Sequence, residues 1–264
     1  MISQKKLLRE VSGWLKVFED GSTDRTWTGP SEVQFMVETV QPHEEFINGV
    51  ATRDVHRLPA AIDDGWSALL WLQSLAQGDS YEPWLVDHAD FNRVILLGDS
   101  TGGNIVHELA ARAGKVDLNH MRLTGGILIH PGFVRSTRSR SELEQPESPM
   151  LTLDMVDKFL SLALPVGSSK DHPITCPMGS GAPDLVTLKL PPFLLCVAEM
   201  DMIVDTEIEY YEAMKKAEKD VELLISPGVA HSFYLNKIAI EMDPQTASQT
   251  EILISRITEF INKH

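Results

Sequence analysis

VILLGDSTGGNIVHEL, residues 94–109, sets an apolar run against a helix-like run, with Gly98-Asp99-Ser100-Thr101-Gly102 between them. The unbroken run at 93–97 has the composition of a strand buried on both faces. Residues 103–113 have the spacing of a helix. A strand that enters a helix through G-x-S-x-G holds its serine on a tight, strained turn. Gly98 and Gly102 are expected to relieve crowding there. The helix N-terminus adds a positive dipole end, and the Thr101 N–H can point at an oxyanion. Small residues are common in turns, so the motif carries weight only if the chain supplies partners for Ser100.

The pattern around this stretch is one of alternation. Upstream, Pro59 opens a helix with Ile62, Trp66, Leu69, Leu70 and Leu72 at apolar positions. Downstream, residues 123–130 read as a strand stopped by Pro131-Gly132, and 192–198 and 220–226 as two more. Helices are expected near 152–163, 205–218 and 246–262, and the charged stretch RSTRSRSELEQPESP at 135–149 reads as a loop. From residue 56 onward helix and strand alternate, which argues for a parallel α/β sheet. Ahead of this, residues 11–18 read as a short strand closed by Glu19-Asp20-Gly21, and 28–49 as irregular. The expectation is one domain over 1–264, with an N-terminal segment 1–55, a core of 56–134 and 187–264, and a cap-like insertion at 135–186.

In a fold of this kind the partners of the serine follow in the chain order Ser, acid, His. Strand 192–198 runs into Glu199-Met200-Asp201, which puts Asp201 at the strand's C-terminal end, where catalytic groups collect in open α/β sheets. Asp205 reads as the N-cap of the next helix. Only His231 and the terminal His264 follow the acid, so His231, just after strand 220–226, is the base. His107 falls two helical turns past Ser100. His130 ends a strand, where it could line the pocket, but structural hydrogen bonding is the expectation. His43, His56, His88, His120 and His172 get no role from spacing. No group of histidines and carboxylates has metal-ligand spacing, and neither a metal nor another cofactor is expected.

Composition bounds the partners. The net charge is −15 and the pI near 5.0, which argues against a nucleic-acid binder and against a polybasic contact with membranes. Cys176 and Cys196 form no CxxC pair. The opening MISQKKLLREVSGW has no long apolar region, and no stretch approaches 18 apolar residues. A cytosolic protein acting on a small molecule is the expectation.

Several long runs carry a resemblance. They are EVSGWLKVFEDGSTDRTWTGP from residue 10, HRLPAAIDDG at 56–65, GDSTGGNIVHE at 98–108 and ILIHPGFVRS at 127–136. LTLDMVDKF at 151–159, DHPITCPMG at 171–179, DTEIEYYEAMKK at 205–216 and GVAHSFYLNK at 228–237 belong with them. Together they resemble the plant carboxylesterases of the hormone-sensitive-lipase-like group of α/β hydrolases. The resemblance implies an α/β-hydrolase fold, a mostly parallel sheet with helices on both faces and a small helical cap. It carries the nucleophile onto Ser100, the acid onto Asp201 and the base onto His231. It also implies hydrolysis of a small or medium-sized organic ester, with two alternatives: a lyase or cyclase of plant specialised metabolism, or a truncated, weakly active or inactive family member. Gibberellin receptors resemble the same group without the histidine of the triad, and His231 argues against that role.

One departure is large. The family pattern places a strand, an apolar strand ending in a His-Gly-Gly-Gly loop, and a further helix and strand between the segment matching GVATRDV (49–55) and His56. Here Val55 runs straight into His56-Arg57-Leu58-Pro59, and His-Gly-Gly-Gly occurs nowhere in the chain. The glycine loop supplies an oxyanion donor in the family, so Thr101 is left as the one donor read from the sequence. The sheet is expected to be incomplete beside 93–97, which would then be an unpaired apolar edge.

Overall fold

The computed structural model describes residues 5–11, 13–29, 43–47, 50–52, 58–147 and 151–264. The chain divides into two compact units, Met1–Arg57 with Glu147–Leu164, and Leu58–Pro146 with Pro165–His264. Of the segment 135–186, only 147–164 goes with the N-terminal unit. The rest packs in the larger one. The Val55–His56 junction lies outside the described residues.

In the smaller unit β1 (Leu7–Val11), β2 (Leu15–Phe18) and β3 (Thr23–Asp24) form an antiparallel meander. The turn at 19–22 forms because Gly21 takes φ 82° and the Asp20 carboxylate accepts the Ser22 N–H. The strand expected at 11–18 is thus two strands, broken where Gly13 takes φ 79°. The stretch expected to be irregular at 28–49 lies mostly outside the described residues. Within it β4 (His43–Ile47) pairs with β5 (Val50–Thr52), a correction to that reading.

The larger unit begins with α1 (Ala60–Gln77), whose Ile62, Trp66, Leu69 and Leu75 are buried and which ends on Gly78 in the left-handed conformation. Then follow α2 (Pro83–His88), β6 (Val94–Asp99), α3 (Thr101–Ala113), β7 (Leu123–Ile129) and α4 (Arg140–Glu144). Next is α5 (Leu153–Ala163), which belongs to the smaller unit and packs on β1, where Arg9 donates to the Ser161 hydroxyl. The larger unit closes with β8 (Phe193–Ala198), α6 (Val204–Lys216), β9 (Val221–Ser226), α7 (Lys237–Met242) and α8 (Pro244–Lys263).

Four strands pair in parallel in the order β6-β7-β8-β9. Asp99 stands opposite Ile129, Ile129 opposite Cys196, and Ala198 opposite Ser226. All four C-terminal ends therefore open on one edge of the sheet. Alternation along β8 divides the core. Phe193, Leu195 and Val197 pack with Val106 of α3 and with Tyr210 and Met214 of α6. Leu194, Cys196 and Ala198 face the other way, onto Leu253 and Phe260 of α8. Burial of both faces explains the unbroken apolar composition of this strand. This is an α/β-hydrolase fold. Among the described residues β6 pairs only with β7, and its Leu97 is 54% exposed. None of the described helices is long and apolar enough to cross a membrane.

Two local readings are corrected. Asp205 does not cap α6, which starts at Val204 with Ile203 as N-cap. Instead its carboxylate accepts the Ser141 N–H at 2.8 Å. The charged stretch read as loop contains α4, which forms because Ser139 and Glu142 make a reciprocal capping box. The spacing Ser139-Arg140-Ser141-Glu142 carried that signal in the sequence.

Candidate active site

Ser100 sits between the end of β6 and the start of α3 with φ 52° and ψ −122°, a conformation that costs a non-glycine residue energy and needs outside support. The support comes from the backbone. The Ser100 N–H donates to the Ile129 carbonyl at 2.8 Å, and its own carbonyl accepts from Gly103 and Gly132 at 2.9 and 3.1 Å. Gly98 is required, because a Cβ there would lie 2.2 Å from the Gly102 carbonyl oxygen. Gly102 is not. A Cβ on it would meet open space, and the second close approach is at Gly103, against Pro131.

Asp201 is fully buried just beyond β8. One carboxylate oxygen accepts the Ile203 N–H at 3.1 Å and the other meets His231 Nδ1 at 2.5 Å. The turn carrying it is braced by α4, whose Ser141 hydroxyl donates to the Met202 carbonyl at 2.8 Å. His231 Nε2 lies 3.1 Å from Ser100 Oγ. The fold thus brings Ser100, His231 and Asp201, from three separate strand ends, into one hydrogen-bonded line. With Nδ1 donating to Asp201, Nε2 is free to accept the serine proton. Burial alone would lower the imidazole pKa, but the Asp201 carboxylate outweighs it by charge and hydrogen bond, and Asp99 adds to the effect. The net position is above the ordinary 6.5. Thr101 opens α3, so its N–H is among those with no acceptor inside the helix.

A second set of contacts, which spacing in the sequence does not reveal, surrounds His231. His130, fully buried with φ 43°, accepts the Ser232 N–H on Nδ1 at 2.9 Å. Burial holds its pKa down to about 3, with the neighbouring His231 adding to that, so its ring is neutral. The Asp99 carboxylate accepts the Ser232 hydroxyl at 3.3 Å and the Tyr234 hydroxyl. His107 is structural. Its Nδ1 meets the Tyr210 hydroxyl at 2.9 Å within the core.

Folding also brings donor atoms of His130, Asp201 and His231 within 4.8 Å of one another. These groups are turned to each other or to backbone. The 2.5 Å contact of His231 with Asp201 is a hydrogen bond, shorter than the separation of two ligands held about 2 Å from an ion.

A family model described as the alpha/beta hydrolase fold matches residues 55–235. The chain is an α/β hydrolase. Among relatives of this hydrolase, 2-hydroxyisoflavanone dehydratase of Glycyrrhiza echinata is 34% identical over 242 residues, 83% of this chain and 70% of that protein. Tuliposide A-converting enzyme 1 of Tulipa gesneriana, a chloroplastic protein, and gibberellin receptor GID1C of Arabidopsis thaliana are each 35% identical over 181 residues, 68% of this chain. The matched regions span 45% and 50% of those two proteins, about half their length. These similarities place the hydrolase in the plant hormone-sensitive-lipase-like group. In structure it is similar to the esterase of Pyrobaculum calidifontis, with a TM-score of 0.61 and 23% identity over 79% of this chain and 62% of that one. The Francisella virulence factor BioJ gives a TM-score of 0.62 at 23% identity, covering 79% of this chain and 62% of its own.

Proposed function

We propose that this hydrolase is a serine carboxylesterase acting on a small or medium-sized organic ester. His231 Nε2 takes the proton of Ser100 Oγ as the oxygen attacks the ester carbonyl. Asp201 holds the Nδ1–H tautomer and stabilises the imidazolium that forms. The Thr101 N–H donates to the oxyanion. His231 then passes the proton to the leaving alcohol, and water, activated by the same imidazole, releases the acid from the acyl-enzyme. The observation that carries this reading is the line Ser100–His231–Asp201, with separations of 3.1 and 2.5 Å, at the carboxyl edge of a parallel sheet.

The test is labelling with a fluorophosphonate and turnover of a p-nitrophenyl ester. Wild type should be labelled at Ser100 and should hydrolyse the ester, and Ser100→Ala should do neither. Equal turnover by Ser100→Ala would sink the assignment.

The similarity to 2-hydroxyisoflavanone dehydratase over 83% of the chain favours a second reading, elimination of water from a specialised metabolite on the same scaffold. Turnover of a 2-hydroxyisoflavanone without turnover of simple esters would select it.

A further inference from the structure

Resting on that reading, we propose that Asp99 and His130 are positioning residues for the base. They grip Ser232, the residue after His231, and so fix the imidazole between Ser100 and Asp201. His231 is held by two side-chain contacts of its own, at 2.5 and 3.1 Å. These do not fix the loop that carries it. The neighbouring Ser232 is held at two points, and a third contact holds the same loop two residues on. The Ser232 N–H donates to His130 Nδ1 at 2.9 Å, its hydroxyl donates to Asp99, and Tyr234 closes onto the same carboxylate.

The grip has a structural logic. Asp99 ends β6 directly before Ser100, and His130 follows β7. The base loop is therefore pinned to the two strands that also hold the nucleophile, since Ser100 itself bonds to Ile129 of β7. Both pinned backbones are costly. His130 has φ 43° and Ser232 φ 51°, conformations that persist where the surroundings over-determine them. The ring of His130 lies 5.5 Å from that of His231, and Phe233 and Tyr234 flank it at 5.7 and 5.8 Å.

Asp99 has a second effect through charge. The titratable groups near the imidazole are Asp201, Asp99 and His130, with Glu207 close enough to Asp201 to feel its charge and Tyr234 on Asp99. His130 is neutral, and Glu207 and Tyr234 stay protonated. The charges acting on His231 are thus those of the two aspartates, and both favour the imidazolium.

The experiment compares the full chain with Asp99→Asn, His130→Ala and His130→Asn, each checked for cooperative melting. It reads kcat/KM for a p-nitrophenyl ester against pH, and the His231 titration by NMR of its ring nitrogens. Asp99→Asn should lower the His231 midpoint and the acid limb together, by roughly half a pH unit. His130→Ala should lower kcat about ten- to a hundred-fold with KM held. His130→Asn, which tolerates positive φ and keeps an acceptor for the Ser232 N–H, should recover most of it. A folded Asp99→Asn with an unmoved His231 midpoint, or a folded His130→Ala with wild-type kcat, would overturn the proposal. If Asp99→Asn does not fold, Ser232→Ala and Tyr234→Phe remove the donors one at a time, and unchanged kcat in both would overturn it equally. If wild type turns over no ester, the esterase reading fails, and the NMR midpoint still decides whether Asp99 acts on His231.

Discussion

Asp201 and Glu207 flank the start of α6, both fully buried, and only Asp201 has hydrogen-bond partners. Neither oxygen of the Glu207 carboxyl has one among the described residues. Burial, with the nearby charges of Asp201 and Asp99, pushes its pKa well above 4.5. The group is therefore an uncharged acid in the folded protein and a carboxylate in the unfolded chain at neutral pH. Below the unfolded pKa both states are protonated and nothing is lost. As pH rises above about 4.5 the unfolded chain alone releases the proton, so stability falls, by up to about 1.4 kcal/mol per pH unit. Glu207→Gln should match wild type near pH 4.5 and exceed it increasingly at higher pH. Thermal melting of the two from pH 4.5 to 8 checks this, and parallel curves would refute it.

The buried histidines act in the opposite direction. Burial lowers His107 to about 4, and it lowers His130 to about 3 with the help of His231. Between pH 6.5 and these values the unfolded chain takes up two protons that the folded one refuses. Stability should therefore fall on acidification, each histidine adding about 1.4 kcal/mol per pH unit to the slope. Replacing His107 and its partner Tyr210 together by Phe removes one proton without stranding a hydroxyl. The double variant should lose about half of this histidine contribution to the acid slope. An unchanged slope in denaturant titrations at pH 6.5, 5.5 and 4.5 would count against the assignment.

Asp201→Asn separates orientation from simple presence of a polar group. The amide can keep a contact with the ring, but it no longer fixes the Nδ1–H tautomer or stabilises the imidazolium. A loss of about 10⁴ in kcat is expected. The residual acid limb should lie below that of wild type, because the charge that raises His231 is gone. A pH profile of kcat/KM for a small aryl ester reads both effects, and a wild-type kcat would exclude Asp201 from the site.

The line of three was legible because each member follows a strand. Ser100 stands in a motif tied to one turn, Asp201 follows an unbroken apolar run, and His231 is the one internal histidine after it. The second set of contacts was not legible. Asp99 ends β6 and Ser232 follows β9, at opposite ends of the order β6-β7-β8-β9; the loop after β9 joins them across the C-terminal ends of the strands, and no local pattern marks the pair. His130 was read as structural in a general way, but its acceptor role depends on a positive φ that the sequence Ile129-His130-Pro131 does not announce. Asp205 has a residue type favoured at N-caps, but the N-cap of α6 lies two residues earlier, at Ile203, and the carboxylate serves α4.

The two glycines of the G-x-S-x-G turn should respond differently. At Gly98 a Cβ would lie 2.2 Å from the backbone oxygen of Gly102, so the turn holding Ser100 has to open. Gly98→Ala should be destabilised by several kcal/mol, roughly the cost of a buried steric conflict, and should lose fluorophosphonate labelling. Gly102 faces open space inside the first turn of α3, where alanine favours the helix by up to about 1 kcal/mol. Gly102→Ala should melt at or above the wild-type temperature. The reverse order of the two variants would show that the turn is not built as described.

The oxyanion hole gives the last expectation. The chain has no His-Gly-Gly-Gly, and the donor assigned to the oxyanion is the N–H of Thr101. Removing one such donor typically lowers kcat by about 10² to 10³. Attack on a fluorophosphonate and turnover of an ester both develop charge on an oxygen that must be stabilised, so both rates should be reduced by a similar factor. Measured beside a plant relative that keeps the glycine loop, this chain should show kcat about 10² to 10³ lower on a p-nitrophenyl ester, with KM little changed. The purified protein should first be weighed intact, because the comparison applies to a chain of 29.4 kDa. Equal turnover at that mass would mean that a second donor reaches the oxyanion from elsewhere in the chain.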